Sequence, residues 1–241
     1  MIAMQDIKKR VQVHIPFHRL RGGHLDRIVK DRMNPEISFA QPVLDNGSKD
    51  DFRRVADILR EAGLTVTFHA PFMDLRPGAV DPKIRQATVE RLRQVFDLAP
   101  YFLPKSIVCH ASFDERYYVS ADQVWLENSI ATWAPFLSLA EELDTLIAFE
   151  NVYETGPRQL KMLLDAFPSP RACLCFDVPC SSWATSRSWE RKPSISSWAA
   201  SGKQTKTSVS RYGVAGGGIP SSSAAAIMTR YLPSKVTGAH G

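Results

Sequence analysis

Apolar residues recur along residues 11–177 in two alternating patterns. Short runs rich in β-branched and aromatic residues predict six strands, at 11–15, 35–39, 64–69, 106–110, 145–150 and 172–177. Between them, segments with apolar positions three and four residues apart predict helices, one starting at Asp81-Pro82 and a long one capped by Ser120. Apolar strands that alternate with helices are typical of a parallel sheet covered by helices.

Two parallel architectures fit this order of elements, an open doubly wound sheet and a (β/α)8 barrel. No G-x-G-x-x-G follows any strand, which argues against a dinucleotide-binding sheet. The third to sixth strands end on His69, His110, Glu150 and Asp177. In a barrel these four ends face one mouth, where barrel active sites are built, whereas an open sheet spreads them along an edge. We therefore predict an α/β fold of the TIM barrel type.

The last quarter of the chain differs from the rest in charge and composition. Residues 1–179 hold 22 Lys and Arg against 24 Asp and Glu, whereas residues 180–241 hold 8 against 1, so the net charge of +5 comes from the last quarter. That quarter also carries 14 serines and no alternation of strands and helices. We predict two regions, a TIM-barrel portion at 1–179 and an atypical, Ser-rich basic tail at 180–241 that is irregular or disordered.

The overall composition narrows the class of protein. With 44% hydrophobic and 23% charged residues, the chain has the balance of a globular protein, and it contains no apolar run of membrane-spanning length. The N-terminal residues lack the pattern of a secretory signal, so we expect a cytoplasmic protein without a membrane partner.

Two histidines and two carboxylates at the ends of successive strands form a ligand set that Zn²⁺, Mn²⁺ or Co²⁺ accepts. Each residue alone has a structural alternative: a histidine can be held by hydrogen bonds, Glu150 can pair with a basic residue, and Asp177 can cap a helix. The conjunction of four such residues favours a metal site. His14 and His18, near the first strand end, are candidates to line the same mouth.

Four segments resemble the strand-end motifs of the xylose isomerase-like TIM barrels, the superfamily of sugar phosphate isomerases and epimerases and of endonuclease IV-type enzymes (AP endonuclease family 2). They are HAPFMDL (69–75), IVCHASF (107–113), IAFENV (147–152) and CLCFDV (173–178). The resemblance implies a divalent metal (Zn, Mn, Co or Mg). In the endonuclease branch of the family, the positions of His69, His110, Glu150 and Asp177 all bind metal. In the epimerase branch, Glu150 and Asp177 are two of four ligands, and His69 and His110 bind metal or orient substrate oxygens. It also implies that the catalytic proton is moved by Glu150 or by a glutamate after the eighth strand that is missing here. Asn151 is a candidate to contact substrate, as are His14 and His18 from their position near the first strand end.

The tail departs from the family pattern. Further histidine and acidic motifs follow the sixth strand in the family, whereas here Glu190 and His240 are the only such residues after Val178. A GC-rich gene read out of frame yields Ser, Arg, Ala, Pro and Trp with few acids, so we hypothesise a frameshift near codon 178. The barrel is then incomplete, with about six βα units and two uncovered edges. Because the ligands of the last strands are missing, we expect weak metal binding and doubtful activity. Translating the coding DNA in the other two frames tests this hypothesis. If a frameshift occurred, one of those frames should encode the missing motifs downstream of codon 178.

Three functions remain open at this point. The first is a divalent-metal-dependent isomerase or epimerase of a sugar or sugar phosphate. The second is a zinc-dependent phosphodiesterase of the endonuclease IV type, and the third is a non-catalytic remnant. Basic residues interleaved with aromatics are lacking in 1–179, which argues against a nucleic-acid partner. The sequence leaves the substrate, the metal and the oligomeric state open.

Overall fold

The structure, a computed structural model, describes residues 4–167, 169–177 and 208–210 of the chain. The helices are α1 (Met4–Lys8), α2 (Phe17–Arg19), α3 (Leu25–Lys30), α4 (Gln41–Asn46), α5 (Lys49–Glu61), α6 (Pro82–Phe96), α7 (Ala99–Phe102), α8 (Asp122–Glu142) and α9 (Arg158–Ala166). A kinked turn at Leu20–His24, with non-helical backbone angles at Gly22 and Gly23, joins α2 to α3. The strands are β1 (Gln12–Pro16), β2 (Asn34–Ser38), β3 (Thr67–His69), β4 (Ile107–His110), β5 (Ile147–Glu150), β6 (Ala172–Asp177) and β7 (Ser208–Ser210). The first six strands confirm the predicted ones to within three residues.

All seven strands belong to one sheet, in the order β1 to β7, and every neighbouring pair is parallel. Consecutive parallel strands joined by helical connections are the topology of a TIM barrel, which confirms the predicted fold class. In the part of the chain that the structure describes, no pairing of β7 with β1 closes the sheet.

The seventh strand lies in the region for which the sequence predicts no regular structure. Ser208–Ser210 pairs with Cys175, Phe176 and Asp177 of β6. An uncovered strand edge offers a row of backbone donors and acceptors to an extended segment of any composition, so side-chain pattern alone did not reveal this strand. The other residues of the predicted irregular tail, and the hypothesised frameshift position, lie outside the described residues.

The two faces of the sheet carry different side chains because successive residues of a strand point to opposite sides. One face packs against the helices and forms the main core, with Phe68, Ile107 and Phe149 all completely buried. The other face lines the inside of the curved sheet, where a small cluster forms around Val108, Ala148, Cys173 and Cys175. The residues that end β2 to β6 on this inner face are polar: Ser38, His69, His110, Glu150 and Asp177.

Local capping explains where several helices begin. Asp81 accepts a hydrogen bond from the Lys83 backbone N–H at 2.7 Å ahead of Pro82, which confirms the predicted start of α6. Ser120 does not cap α8, contrary to the prediction. Its φ of 55° is left-handed, and the helix begins after Ala121 without a side-chain cap. None of the helices in the described ranges is long and apolar enough to cross a membrane.

Candidate metal site at the barrel mouth

Three of the predicted ligands come together at the carboxyl ends of neighbouring strands. His69 is the last residue of β3, His110 of β4 and Glu150 of β5. One ligand atom from each lies within 4.8 Å of the other two, and the residues are 8%, 5% and 7% exposed respectively. His110 and Glu150 are direct partners in the β4–β5 register, so strand pairing itself sets their separation.

Glu150 lies between the two histidines. Its Oε2 is 3.4 Å from Nε2 of His69 and 3.5 Å from Nε2 of His110. Nδ1 of His69 is 3.0 Å from the Ala70 carbonyl oxygen, which can only accept, so Nδ1 donates there. This hydrogen bond orients the ring and leaves Nε2 facing Glu150, the arrangement by which proteins prepare histidine as a metal ligand.

His110 has the least satisfied side chain of the three. Neither of its ring nitrogens has a hydrogen-bond partner among the described residues, although the side chain is only 2% exposed. The ring packs against Phe72, with centroids 4.3 Å apart, and lies 5.2 Å from the ring of His69. A buried ring nitrogen without a partner is costly, and a metal ion at Nε2 would remove that cost.

The surroundings shift the pKa values of the two histidines in opposite directions. Burial disfavours protonated His69, but its hydrogen bond to Glu150 and the negative charges of Glu36 and Glu150 outweigh burial and raise the pKa of His69 to about 9. Burial lowers the pKa of His110 to about 3, with the charge of His69 adding to the effect. Burial also opposes ionisation of Glu150, yet the hydrogen bond and charge of His69, together with His110, lower its pKa. The contact between His69 and Glu150 therefore favours the charged form of both side chains.

Two inner-face residues near the group were missed at the level of sequence. Glu36 in β2 is completely buried, and its negative charge acts on His69. Cys175 in β6 is buried, with Sγ 3.8 Å from Oε1 of Glu150. A lone acid inside an otherwise apolar strand was the available signal for Glu36. The spacing of Cys175 matched no metal motif and carried no signal.

The other predicted site residues take different positions. Asp177 ends β6 but is not a member of the three-residue group. The Asn151 side chain holds the backbone of Asp177 with two hydrogen bonds. Its Nδ2 donates to the Asp177 carbonyl at 3.0 Å, and its Oδ1 accepts from the Asp177 N–H at 2.8 Å. His14 packs edge-on against His69 at 5.8 Å between ring centroids, and burial and the charge of His69 lower its pKa to about 4. His18 is exposed on α2.

Comparison with known protein families identifies the family of the chain. A family model described as the xylose isomerase-like TIM barrel matches residues 35–193, more than half of the chain. The chain belongs to this family. The matched range contains His69, His110, Glu150 and Asp177. The resemblance inferred from the four strand-end motifs is therefore confirmed.

Individual relatives of this xylose isomerase-like chain are distant. The uncharacterized protein MJ1311 of Methanocaldococcus jannaschii is 24% identical over 119 residues, which cover 47% of this chain and 41% of that protein. The chain thus spans less than half the length of this curated relative.

Solved structures match over a larger share of the chain. The TTHB071 protein from Thermus thermophilus, in a crystal soaked with ZnCl2, shares 20% identity and a TM-score of 0.61, covering 72% of this chain and 70% of that one. A D-psicose 3-epimerase in the presence of D-fructose shares 11% identity and a TM-score of 0.64, covering 94% and 87%. Further structural neighbours are a D-tagatose 3-epimerase-like protein, a D-psicose 3-epimerase from Clostridium cellulolyticum and a 3-keto-D-glucoside 4-epimerase from E. coli. At these identities the matches establish the fold.

Proposed function

We propose that this chain is, or derives from, a divalent-metal-dependent isomerase or epimerase acting on a sugar or sugar phosphate. The observation that carries the proposal is the convergence of His69, His110 and Glu150 within 4.8 Å at the barrel mouth. The sugar epimerases among the structural neighbours support the same reaction class.

The residues fit a divalent ion such as Zn²⁺, Mn²⁺ or Co²⁺ better than Mg²⁺, which prefers oxygen ligands. Two imidazole nitrogens and a carboxylate are ligands that Zn²⁺, Mn²⁺ and Co²⁺ accept, and the unsatisfied Nε2 of His110 is one of them. Asp177 is the proposed fourth ligand, since it ends the next strand and Asn151 holds its backbone in place. His69 gives up a proton on binding, because a ligating nitrogen must be unprotonated.

The chain's own groups account for the remaining chemistry. A bound metal ion supplies polarisation of a substrate carbonyl and its adjacent hydroxyl, which lowers the cost of an ene-diolate. Glu150 is ionised at neutral pH and is the group proposed to move the proton. His14 and Asn151 are proposed to orient substrate oxygens at the same mouth, and His18 is proposed to contact substrate from the rim.

A metal titration with a matched pair of variants tests the proposal. The motifs missing from the tail predict weak metal binding by the full chain, so tight binding of Zn²⁺ or Co²⁺ would mean that the proposed ligands suffice without them. Glu150→Ala should lose whatever binding the full chain has, and Glu142→Ala, which changes an exposed glutamate of α8, should keep it. With metal present, the full chain should catalyse exchange of deuterium from D2O into D-fructose at the carbon next to the carbonyl. Full metal stoichiometry in Glu150→Ala contradicts the site, and metal binding without exchange favours the non-catalytic remnant.

A zinc-dependent phosphodiesterase is the second candidate, and the pair of histidines His69 and His110 favours it. Such enzymes activate water with clustered metals, so metal count separates the two proposals. One ion per chain supports the isomerase, and two or three ions with hydrolysis of a phosphodiester support the hydrolase.

A further inference from the structure

The two carboxylate oxygens of Glu150 have different neighbours. Oε2 faces Nε2 of His69 at 3.4 Å and Nε2 of His110 at 3.5 Å. Oε1 instead accepts a hydrogen bond from the thiol of Cys175, with Sγ 3.8 Å away. In the part of the chain that the structure describes, no other donor contacts Oε1. The thiol is therefore the group that distinguishes the two oxygens.

Strand pairing places Glu150 between its two kinds of neighbour. His110 in β4 is the register partner of Glu150 in β5, and Glu150 is in turn the partner of Cys175 in β6. Neighbouring strands lie ~4.8 Å apart, and register partners of a parallel sheet point to the same face. Glu150 thus has a histidine on the β4 side and a thiol on the β6 side.

Cys175 acts on the proposed metal site through Glu150 rather than on an ion directly. The ligand atoms that lie within 4.8 Å of one another come from His69, His110 and Glu150, and Sγ of Cys175 is not among them. Cys175 is also completely buried. A buried thiol that donates to one oxygen of a ligating carboxylate has the place of an outer partner, which orients the ligand.

A carboxylate at this position needs such a partner. The terminal torsion of a glutamate side chain is broad, so by itself it does not fix which way the oxygens point. A hydrogen bond at Oε1 selects the orientation in which Oε2 faces both histidines, and a group already held in its binding orientation loses less entropy on binding. The same orientation serves His110, whose buried ring nitrogens have no partner among the described residues.

We propose that Cys175 is a positioning residue of the metal site, whose thiol holds Oε1 of Glu150 so that Oε2 is presented to the ion. The inference rests on the proposed function and deepens it, because it names the residue that orients the central ligand. Thiols are weak donors in water, but a hydrogen bond is stronger in a buried, low-dielectric environment. Removing the donor also leaves a buried oxygen unsatisfied.

Competition for zinc with a chromophoric chelator, measured on full-length variants, tests the proposal. We expect Cys175→Ala to lower zinc affinity about 10–100-fold, as loss of an outer partner does, and Cys175→Ser to keep part of the affinity because a hydroxyl also donates. Cys173→Ala is the matched control. Cys173 lies on the same strand, is also buried, and donates through Sγ to the Ile147 carbonyl at 3.6 Å. Its truncation removes the same atoms without touching Glu150, so zinc affinity should stay unchanged.

Urea denaturation of the same samples separates positioning from general stability. Both alanine variants should lose similar stability, and only Cys175→Ala should lose zinc. Unchanged zinc affinity in Cys175→Ala, or an equal loss in Cys173→Ala, overturns the proposal. Zinc affinity in Cys175→Ser as low as in Cys175→Ala overturns the role of the hydrogen bond and leaves only packing.

Cobalt substitution distinguishes a positioning thiol from a ligand. A thiolate-to-cobalt charge-transfer band that disappears in Cys175→Ser would make Cys175 a ligand and overturn the positioning role, whereas we expect bound Co²⁺ without this band. Failure of the proposed function has a different signature. Zinc retained in Glu150→Ala contradicts the metal site itself, and unchanged zinc affinity in Cys175→Ala contradicts only the role of the thiol.

Discussion

The outer and inner faces of the sheet use the same strands for different purposes. In β4, Ile107 and Cys109 join the main core, while Val108 and His110 face inward. In β5, the ring of Phe149 packs edge-on against Trp133, with ring centroids 5.0 Å apart. The next residue, Glu150, belongs to the candidate metal site. Apolar contacts on one face stabilise the fold, and this permits costly buried polar groups on the other. Neighbouring residues of one strand can therefore serve different purposes, one stabilising the fold and the next contributing to the candidate metal site.

Truncating the outer face should give the largest effect. Phe149→Ala removes a completely buried ring, and we expect it to lower the free energy of unfolding by about 3–5 kcal/mol. Urea denaturation followed by circular dichroism measures the change. Phe149→Leu keeps most of the volume and should cost clearly less. A loss below about 1 kcal/mol in Phe149→Ala would mean that this face does not carry the core.

Changing the inner face at the neighbouring position should affect metal before stability. Glu150→Gln keeps the shape of the side chain but removes its charge, so we expect zinc affinity to fall on the order of 100-fold, equivalent to about 2.7 kcal/mol. Competition with a chromophoric chelator measures it. The comparison between faces fails if Glu150→Gln unfolds the protein as strongly as Phe149→Ala does.

The junction of β5 and β6 should show an intermediate effect. Asn151→Ala removes both hydrogen bonds to the partly buried Asp177 backbone, and the loss of the two bonds should cost about 1–3 kcal/mol. If Asp177 is a ligand, zinc affinity should fall as well. Asn128→Ala, which loses one hydrogen bond to the Ala79 carbonyl, is the control and should leave zinc affinity unchanged. Unchanged stability in Asn151→Ala would mean that these two hydrogen bonds do not hold β5 and β6 together.

A helix start that contains none of the proposed ligands provides the smallest effect. Ser48 Oγ accepts the Asp50 backbone N–H at 3.2 Å at the start of α5. Ser48→Ala should lower the free energy of unfolding by about 1 kcal/mol and leave zinc binding alone. Altered zinc affinity in this variant would show that the metal measurement responds to general destabilisation.

Sequence periodicity predicted the parts of the molecule that depend on neighbours along the chain. The six strands, the Asp81 cap and the polar strand ends at His69, His110 and Glu150 were all predictable, because alternation and capping act over a few residues. The short strand Ser208–Ser210 was not, since it depends on the exposed edge of β6. Phe72 and Glu36 reach the site through tertiary packing and strand register, which no local spacing encodes.

A crystal of the full chain soaked in ZnCl2 and measured by anomalous diffraction at the zinc edge tests the central claim most directly. Binding by the proposed ligands predicts an anomalous peak about 2.0–2.2 Å from Nε2 of His69, Nε2 of His110 and an oxygen of Glu150. Zinc bound only elsewhere on the protein, with His69 and Glu150 still in contact with each other, would contradict the assignment of this mouth as a metal site.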